Sequence, residues 1–273
     1  MGMMQGFCPT FGLNLKERYS LPHFSAPVVI FLLASGFASS FIDSTVGGGG
    51  LISLPALLFV GLPPALSLGT NKLAGSISAL TSSVSFLRSK KVTLSLVGIL
   101  FPIAIAGAVF GADIAKHLSS GFLKPLVVIL LVAVTLYTLL RKNVGSKSTF
   151  QGITLKTLLT LAPVSFAIAF YDGFFGPGTG SFLIILFVLV GFDFVEAAGN
   201  AKVLNFASNI GALATFALTR SVAYKMGLLM GIGMLIGAAV GSQVAIRKGV
   251  RYVRPVFLAV TIILIGKQVL SLF

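Results

Sequence analysis

Phe170-Tyr171-Asp172-Gly173-Phe174-Phe175-Gly176-Pro177-Gly178-Thr179-Gly180 closes a long apolar run with a carboxylate and a glycine-rich turn. Earlier in the chain, Phe41-Ile42-Asp43-Ser44-Thr45-Val46-Gly47-Gly48-Gly49-Gly50 does the same. Phe-x-Asp-x-x-x-Gly is common to both, and Asp43 and Asp172 stand 129 residues apart. Past the glycines the offset becomes 130, because the second loop has one extra residue. At that offset Gly61 meets Gly191, Gly69 meets Gly199, Lys72 meets Lys202, Ser78 meets Ser208 and Phe86 meets Phe216. Chance matching of apolar residues does not produce coincidences of polar residues inside apolar sequence. The chain is therefore expected to consist of two related halves.

Around the two motifs the sequence is apolar almost throughout. Hydrophobic residues make up 56% of the 273 positions, only 10% are charged, and the mean hydropathy is +1.03. A soluble domain of this length cannot hide that much apolar surface, whereas lipid accepts it. Runs such as Pro27–Phe41, Ser95–Ile114, Leu126–Leu140 and Gly227–Ile246 approach or reach the roughly 20 residues that span a bilayer. Each half reads as five segments, near 27–43, 50–61, 66–88, 95–116 and 121–141, then 157–172, 180–191, 195–219, 223–246 and 252–272. The expectation is an all-α polytopic membrane bundle of about eight to ten membrane segments. Residues 1–25 form a polar N-terminal segment, 26–141 the first repeat, 142–156 a polar linker and 157–273 the second repeat. Pro27–Phe41 could pass for a late signal sequence, but its place in the repeat argues that it stays in the mature protein.

Five segments per half is an odd number, so the second half should enter the membrane from the opposite side, giving an inverted-topology repeat. Basic residues set the orientation. Arg88, Lys90 and Lys91, then Arg141, Lys142, Lys147 and Lys156, then Arg247, Lys248, Arg251 and Arg254 fall on one side. Lys16, Arg18, Lys116, Lys124, Arg220, Lys225 and Lys267 fall on the other. The richer side is expected to be cytoplasmic, which makes 142–156 a cytoplasmic linker and places both termini in the periplasm.

The second segment of each half is too short to cross. Leu51–Gly61 would extend about 16 Å as a helix, half the hydrocarbon core. Short, glycine-interrupted segments at matching places in two halves point to a transporter binding site. Gly47, Gly48, Gly49 and Gly50 can turn backbone N–H groups toward one point at the start of a helix. A helix start carries free donors and partial positive charge, and so attracts anions. Gly176, Gly178, Thr179 and Ser181 would do the same from the other half. The competing reading is a packing loop, with glycine there for close helix approach.

Four ionisable residues sit inside apolar sequence. Asp43 and Asp172 should face the interior, where they could serve proton coupling or gating, or lock the glycine loops by hydrogen bonding. Lys72 and Lys202 could attract an anion, pair with an aspartate, or snorkel to the headgroups. Lys202, Asn205 and Asn209 share one helical face, with Asn200 off that stripe. The matching segment of the first half is hydroxyl-rich, with Ser76, Ser78, Thr81, Ser82, Ser83 and Ser85. With Asn71 beside Lys72, the candidate substrate-binding set contains two lysines and two amide-rich loops, which favours an anion over a cation.

Other classes fit poorly. The net charge of +14 lies in short loops with no basic stripe and interleaved aromatics, so nucleic acid is not an expected partner. A single cysteine, Cys8, and two histidines, His23 and His117, form no metal-binding spacing. No cofactor, ATP-binding motif or catalytic constellation is evident, so an enzyme is not expected. A non-transporting membrane scaffold or assembly partner is the alternative, but it would not need paired polar centres.

The chain resembles the TauE/SafE family of sulfite exporter-like permeases, also called the toluene sulfonate uptake permease family. The resemblance runs from about residue 28 to 272. It rests on Gly36-Phe37 leading into Phe41-Ile42-Asp43-Ser44, on Gly47–Gly50 with Pro55, and on Thr70-Asn71-Lys72. It rests further on Phe170–Pro177, on Ala201-Lys202 with Asn205, and on Ser208-Asn209-Ile210-Gly211. The resemblance implies a bacterial inner-membrane protein that moves small sulfur-containing anions, organic or inorganic. It gives a substrate class rather than one ligand.

Overall fold

A computed structural model describes residues 25–115, 148–150, 152–249 and 252. Among these residues the chain is entirely helical, with eight helices and no strand. They are α1 (Ala26–Val46), α2 (Gly50–Phe59), α3 (Pro64–Arg88), α4 (Leu94–Ala115), α5 (Leu155–Phe174), α6 (Thr179–Leu189), α7 (Phe194–Leu218) and α8 (Tyr224–Lys248). The fifth segments expected at 121–141 and, beyond Tyr252, at 252–272, residues 142–147 and 151 of the linker, and the polar N-terminus up to residue 24 lie outside the described residues.

Five helices are long and apolar enough to cross a membrane: α1, α4, α5 from Thr157, α7 and α8. α3 equals α7 in length, but its run of serines and threonines, with Asn71 and Lys72, lowers its hydropathy. α2 and α6 are the short apolar helices, of 10 and 11 residues. Proline interrupts α2, α4 and α5 at Pro55, Pro102 and Pro163, as membrane helices tolerate where neighbours satisfy the freed carbonyl. Two starts are capped by side chains. Thr154 accepts from the Thr157 amide, and Asp193 accepts from the amides of Val195 and Glu196.

The packing of one half is repeated with roles exchanged in the other. α3 and α7 lie against each other at the centre, α1 packs on α8, and α4 packs on α5. α8 also packs on α3 and α4 on α7. Lipid gives helices no hydrophobic drive to associate, so close backbone approach and interhelical hydrogen bonds hold the bundle. Gly233, Gly237 and Gly241 of α8 press on the carbonyls of Leu33, Phe37 and Phe41 of α1, where any Cβ would overlap them. Gly107 and Gly111 of α4 press in the same way on the carbonyls of Phe166 and Phe170 of α5. The opposite faces of α8 expose Leu228, Ile232, Leu235 and Ile236, a surface suited to lipid.

Two further contacts set the direction of the central helices. Gly69, near the start of α3, meets the carbonyl of Ser221, just past the end of α7. Gly199, near the start of α7, meets the carbonyl of Lys91, just past the end of α3. α3 and α7 therefore run antiparallel side by side. Each also holds the other half's next helix start. Asn200 Oδ1 accepts from the Thr93 amide at 2.8 Å, and Thr70 Oγ1 accepts from the Ala223 amide at 2.9 Å. These amides precede α4 and α8, and without such partners they would be unsatisfied donors.

Candidate binding cavity

α1 enters the centre and stops at Gly47, whose amide bonds the Asp43 carbonyl at 2.9 Å. The chain turns with positive φ at Gly47 (80°) and Gly48 (88°), then starts α2. α5 stops in the same way at Phe174, and positive φ at Gly176 (97°) and Gly178 (92°) leads into α6. The two turns touch backbone to backbone. A Cβ on Gly47 would overlap the backbone of Gly180 and Ser181, and one on Gly50 would lie 3.1 Å from Pro177 Cα. The packing role foreseen for these glycines is therefore realised at Gly47 and Gly50.

The lysines do not snorkel: both are buried, at 1% exposure for Lys72 and 0% for Lys202. Each forms an ion pair with the aspartate of the opposite half. Lys72 Nζ lies 2.8 Å from Asp172 Oδ1, and Lys202 Nζ lies 2.6 Å from Asp43 Oδ2. Burying either charge alone would cost several kcal/mol, so cross-half pairing is what makes the positions tenable. The glycines make room for the pairs. A Cβ on Gly176 would stand 2.7 Å from Lys72 Nζ, and one on Gly180 would stand 3.1 Å from Asp43 Oδ1.

The carboxylates differ in their second contacts. Asp43 Oδ1 accepts from the Gly49 amide at 3.1 Å, so this aspartate locks its own glycine loop. Asp172 Oδ2 accepts from the Ser208 hydroxyl at 2.6 Å. Serines tie α1 to α3, through Ser40 with Ser78 at 2.5 Å and Ser44 with Ser82 at 2.6 Å.

Between the turns lies a polar cavity of about 40 Å³, room for a few water molecules. It is lined by Asp43, Gly49, Gly50, Asn71, Lys72, Asp172, Gly176, Gly178, Thr179, Asn205 and Asn209 from the expected set. Ser39, Ser53, Gly75, Ser78, Gly180 and Met234 complete the wall. Gly47, Gly48, Ser181 and Lys202 are not in it. The charge of Lys202 is engaged by Asp43, and Ser181 Oγ donates to the Val46 carbonyl at 3.3 Å. Asn200, off the stripe, holds the Thr93 amide instead. Ser39, Ser53 and Met234 carry no sequence signal, because single small hydroxyls and methionines are common throughout membrane helices. Ser78 was marked by its hydroxyl-rich segment.

The Ser39 and Thr179 hydroxyls of this wall donate to the Gly49 and Gly176 carbonyls, and its side-chain amides keep donors to spare. Ser53 Oγ donates to Asn71 Oδ1 at 2.6 Å, which leaves the Asn71 NH2 group for an occupant. Asn209 Nδ2 donates to Asn205 Oδ1 at 2.9 Å, which likewise leaves the Asn205 NH2 group. Two helix starts, α2 and α6, add their partial positive charge.

Comparison with known proteins supplies the lineage. The family model described as sulfite exporter TauE/SafE matches residues 32–267. The chain belongs to the TauE/SafE family. A Sinorhizobium relative named "probable membrane transporter protein ORF9" is 41% identical over 239 residues, covering 87% of this chain and 90% of that one. A Haemophilus influenzae "probable membrane transporter protein" is 37% identical over 243 residues, 89% of this chain and 94% of that one. YfcA of Escherichia coli K12, named in the same way, is 35% identical over 240 residues, 88% of each chain. No solved structure matches significantly. As a TauE/SafE member with five helices fit to cross a bilayer, the chain is a multi-pass membrane protein of a permease-type transporter family. The matched region contains both aspartates, both lysines and both glycine turns.

Proposed function

We propose that this TauE/SafE protein is a secondary transporter, not an enzyme, and that its substrate is a small sulfur-containing anion such as sulfite or an organosulfonate. The observation that carries this reading is the donor-rich cavity between the starts of α2 and α6. Lys72, Asn71, Asn205 and Thr179 line it together with the backbone of Gly50 and Gly178. A compact oxyanion offers acceptors on every side, and this wall offers matching N–H groups. The family description supports sulfur oxyanions as the class. With no ATP-binding motif in the sequence, the proton gradient is the proposed driving force.

The proposed setting is a bacterial inner membrane, with both termini periplasmic and the halves inverted in topology. The antiparallel α3 and α7 and the exchanged packing of the halves support that inversion. Purified protein in liposomes should take up ³⁵S-sulfite or a short alkanesulfonate when an inside-alkaline pH gradient is imposed. Uptake should be absent from protein-free liposomes. If neither anion enters, the transporter reading for this substrate class fails, and a scaffold role takes its place.

A further inference from the structure

We propose that the two ion pairs divide the work, on the basis of the anion-transport reading above. Lys72–Asp172 is the pair that opens to the transported anion, with Asp172 taking up one proton as the anion replaces it on Lys72. Lys202–Asp43 stays closed as a clamp between the halves.

The duplication makes the pairs look equivalent, but their surroundings are not. Lys72 and Asp172 both line the cavity, whereas Lys202 lies behind the wall. The decisive difference is what touches each carboxylate. Asp43 meets the Gly49 amide and the Lys202 ammonium. Both are donors that cannot accept, so neither protein partner of Asp43 can take a hydrogen bond from its protonated form. Asp172 meets Lys72 on one oxygen and the Ser208 hydroxyl on the other. A hydroxyl both donates and accepts. Ser208 Oγ also lies 3.1 Å from the Asn205 carbonyl oxygen. When Asp172 is protonated, its Oδ2–H can donate to Ser208 Oγ, and the Ser208 hydroxyl can turn to donate to the Asn205 carbonyl. Every donor then keeps an acceptor.

Charge balance requires this step. Two aspartates and two lysines cancel, so an added monoanion would leave one negative charge in a low-dielectric site. In the step, the hydrogen bond from Lys72 Nζ to Asp172 Oδ1 breaks and one from Lys72 Nζ to an oxygen of the anion forms. A proton from the aqueous side binds Asp172. No covalent bond to the anion changes, and one anion with one proton crosses without net charge. The other charges at the centre, Asp43 of α1 and Lys202 of α7, neutralise each other. α6 contributes no ionisable side chain, and Asp113 of α4 is exposed.

The test uses full-length protein in liposomes with ³⁵S-sulfite and with methanesulfonate, a monoanion that carries no proton of its own. For methanesulfonate the expected wild-type result is about tenfold accumulation per pH unit, unchanged by a potassium–valinomycin potential. In Asp172→Asn the accumulation ratio should fall to about one, while exchange of labelled for unlabelled substrate survives. Ser208→Ala keeps the ion pair and removes the relay, so it should slow net uptake more than exchange. Asp43→Asn should lower protein yield and slow transport, but net uptake by the folded fraction should still follow the imposed pH gradient. Full accumulation by Asp172→Asn, loss of coupling in Asp43→Asn alone, or potential-driven methanesulfonate uptake each overturns the proposal. Absence of wild-type uptake of both probes instead overturns the anion reading on which it rests.

Discussion

Lys72 in the first half and Asp172 in the second sit 2.8 Å apart, with side chains 1% and 3% exposed. Burying either charge there without a partner is costly. Lys72→Met leaves a buried carboxylate unpaired and should cost about 3–5 kcal/mol of stability. The double variant Lys72→Met/Asp172→Leu removes both charges and should recover most of that loss, since apolar replacement of a buried pair is often near neutral. Thermal unfolding in detergent checks both. A double variant no more stable than the single one would show that the pair is not the unit of stability. Substrate uptake should be lost in both, because the cavity lacks its accessible cation.

Gly176 has φ of 97° and no room for a methyl group beside Lys72 Nζ, whereas Gly61 has φ of 90° and open space around it. Gly61→Ala should therefore cost only the backbone strain, about 1–2 kcal/mol. Gly176→Ala adds displacement of the ion pair, and should lose transport even where folded protein is recovered. Comparing yield and uptake of the two variants checks this. Equal behaviour would mean that the Lys72–Asp172 geometry tolerates displacement.

Gly237 packs on the Phe37 carbonyl, while its neighbour Ile236 is 51% exposed on the outer face of α8. Gly237→Leu should separate α8 from α1 and strongly reduce folded protein, as overpacking costs about 1–3 kcal/mol or more. Ile236→Leu should be neutral within about 0.5 kcal/mol. Size-exclusion profiles and melting temperatures of the two distinguish a close helix contact from a general intolerance of α8 to change.

The topology prediction can be read by labelling. In a Cys8→Ser background, Arg88→Cys and Thr219→Cys lie at opposite ends of the antiparallel α3 and α7. A membrane-impermeant maleimide should reach the first only from the cytoplasmic side and the second only from the periplasmic side. Labelling of both from one side would contradict the antiparallel arrangement, and exchanged sides would reverse the orientation.

Local sequence alone determined most of the helices. The runs expected at 27–43, 66–88, 195–219 and 223–246 became Ala26–Val46, Pro64–Arg88, Phe194–Leu218 and Tyr224–Lys248. The two short glycine-led segments became the short helices α2 and α6. Length, hydropathy and glycine punctuation are local properties, and lipid forces every backbone group in such runs to be satisfied within a helix. The ionisable and amide residues that line the cavity were also legible, because such side chains are too costly in apolar surroundings to lack a purpose.

Tertiary structure alone decided who meets whom. Duplication offered each lysine two equivalent aspartates, and spacing cannot choose between them. Asp43 and Lys202 are 159 residues apart, and it is the crossing of the two glycine turns that brings them to 2.6 Å. The same crossing places Lys72 in the cavity wall and Lys202 behind it, a distinction between two residues that the sequence presents as copies. It also gives Asp172 a hydroxyl partner where Asp43 has a backbone amide. Those differences arise from contacts between halves, and a one-dimensional repeat cannot encode which face of each copy the other will cover.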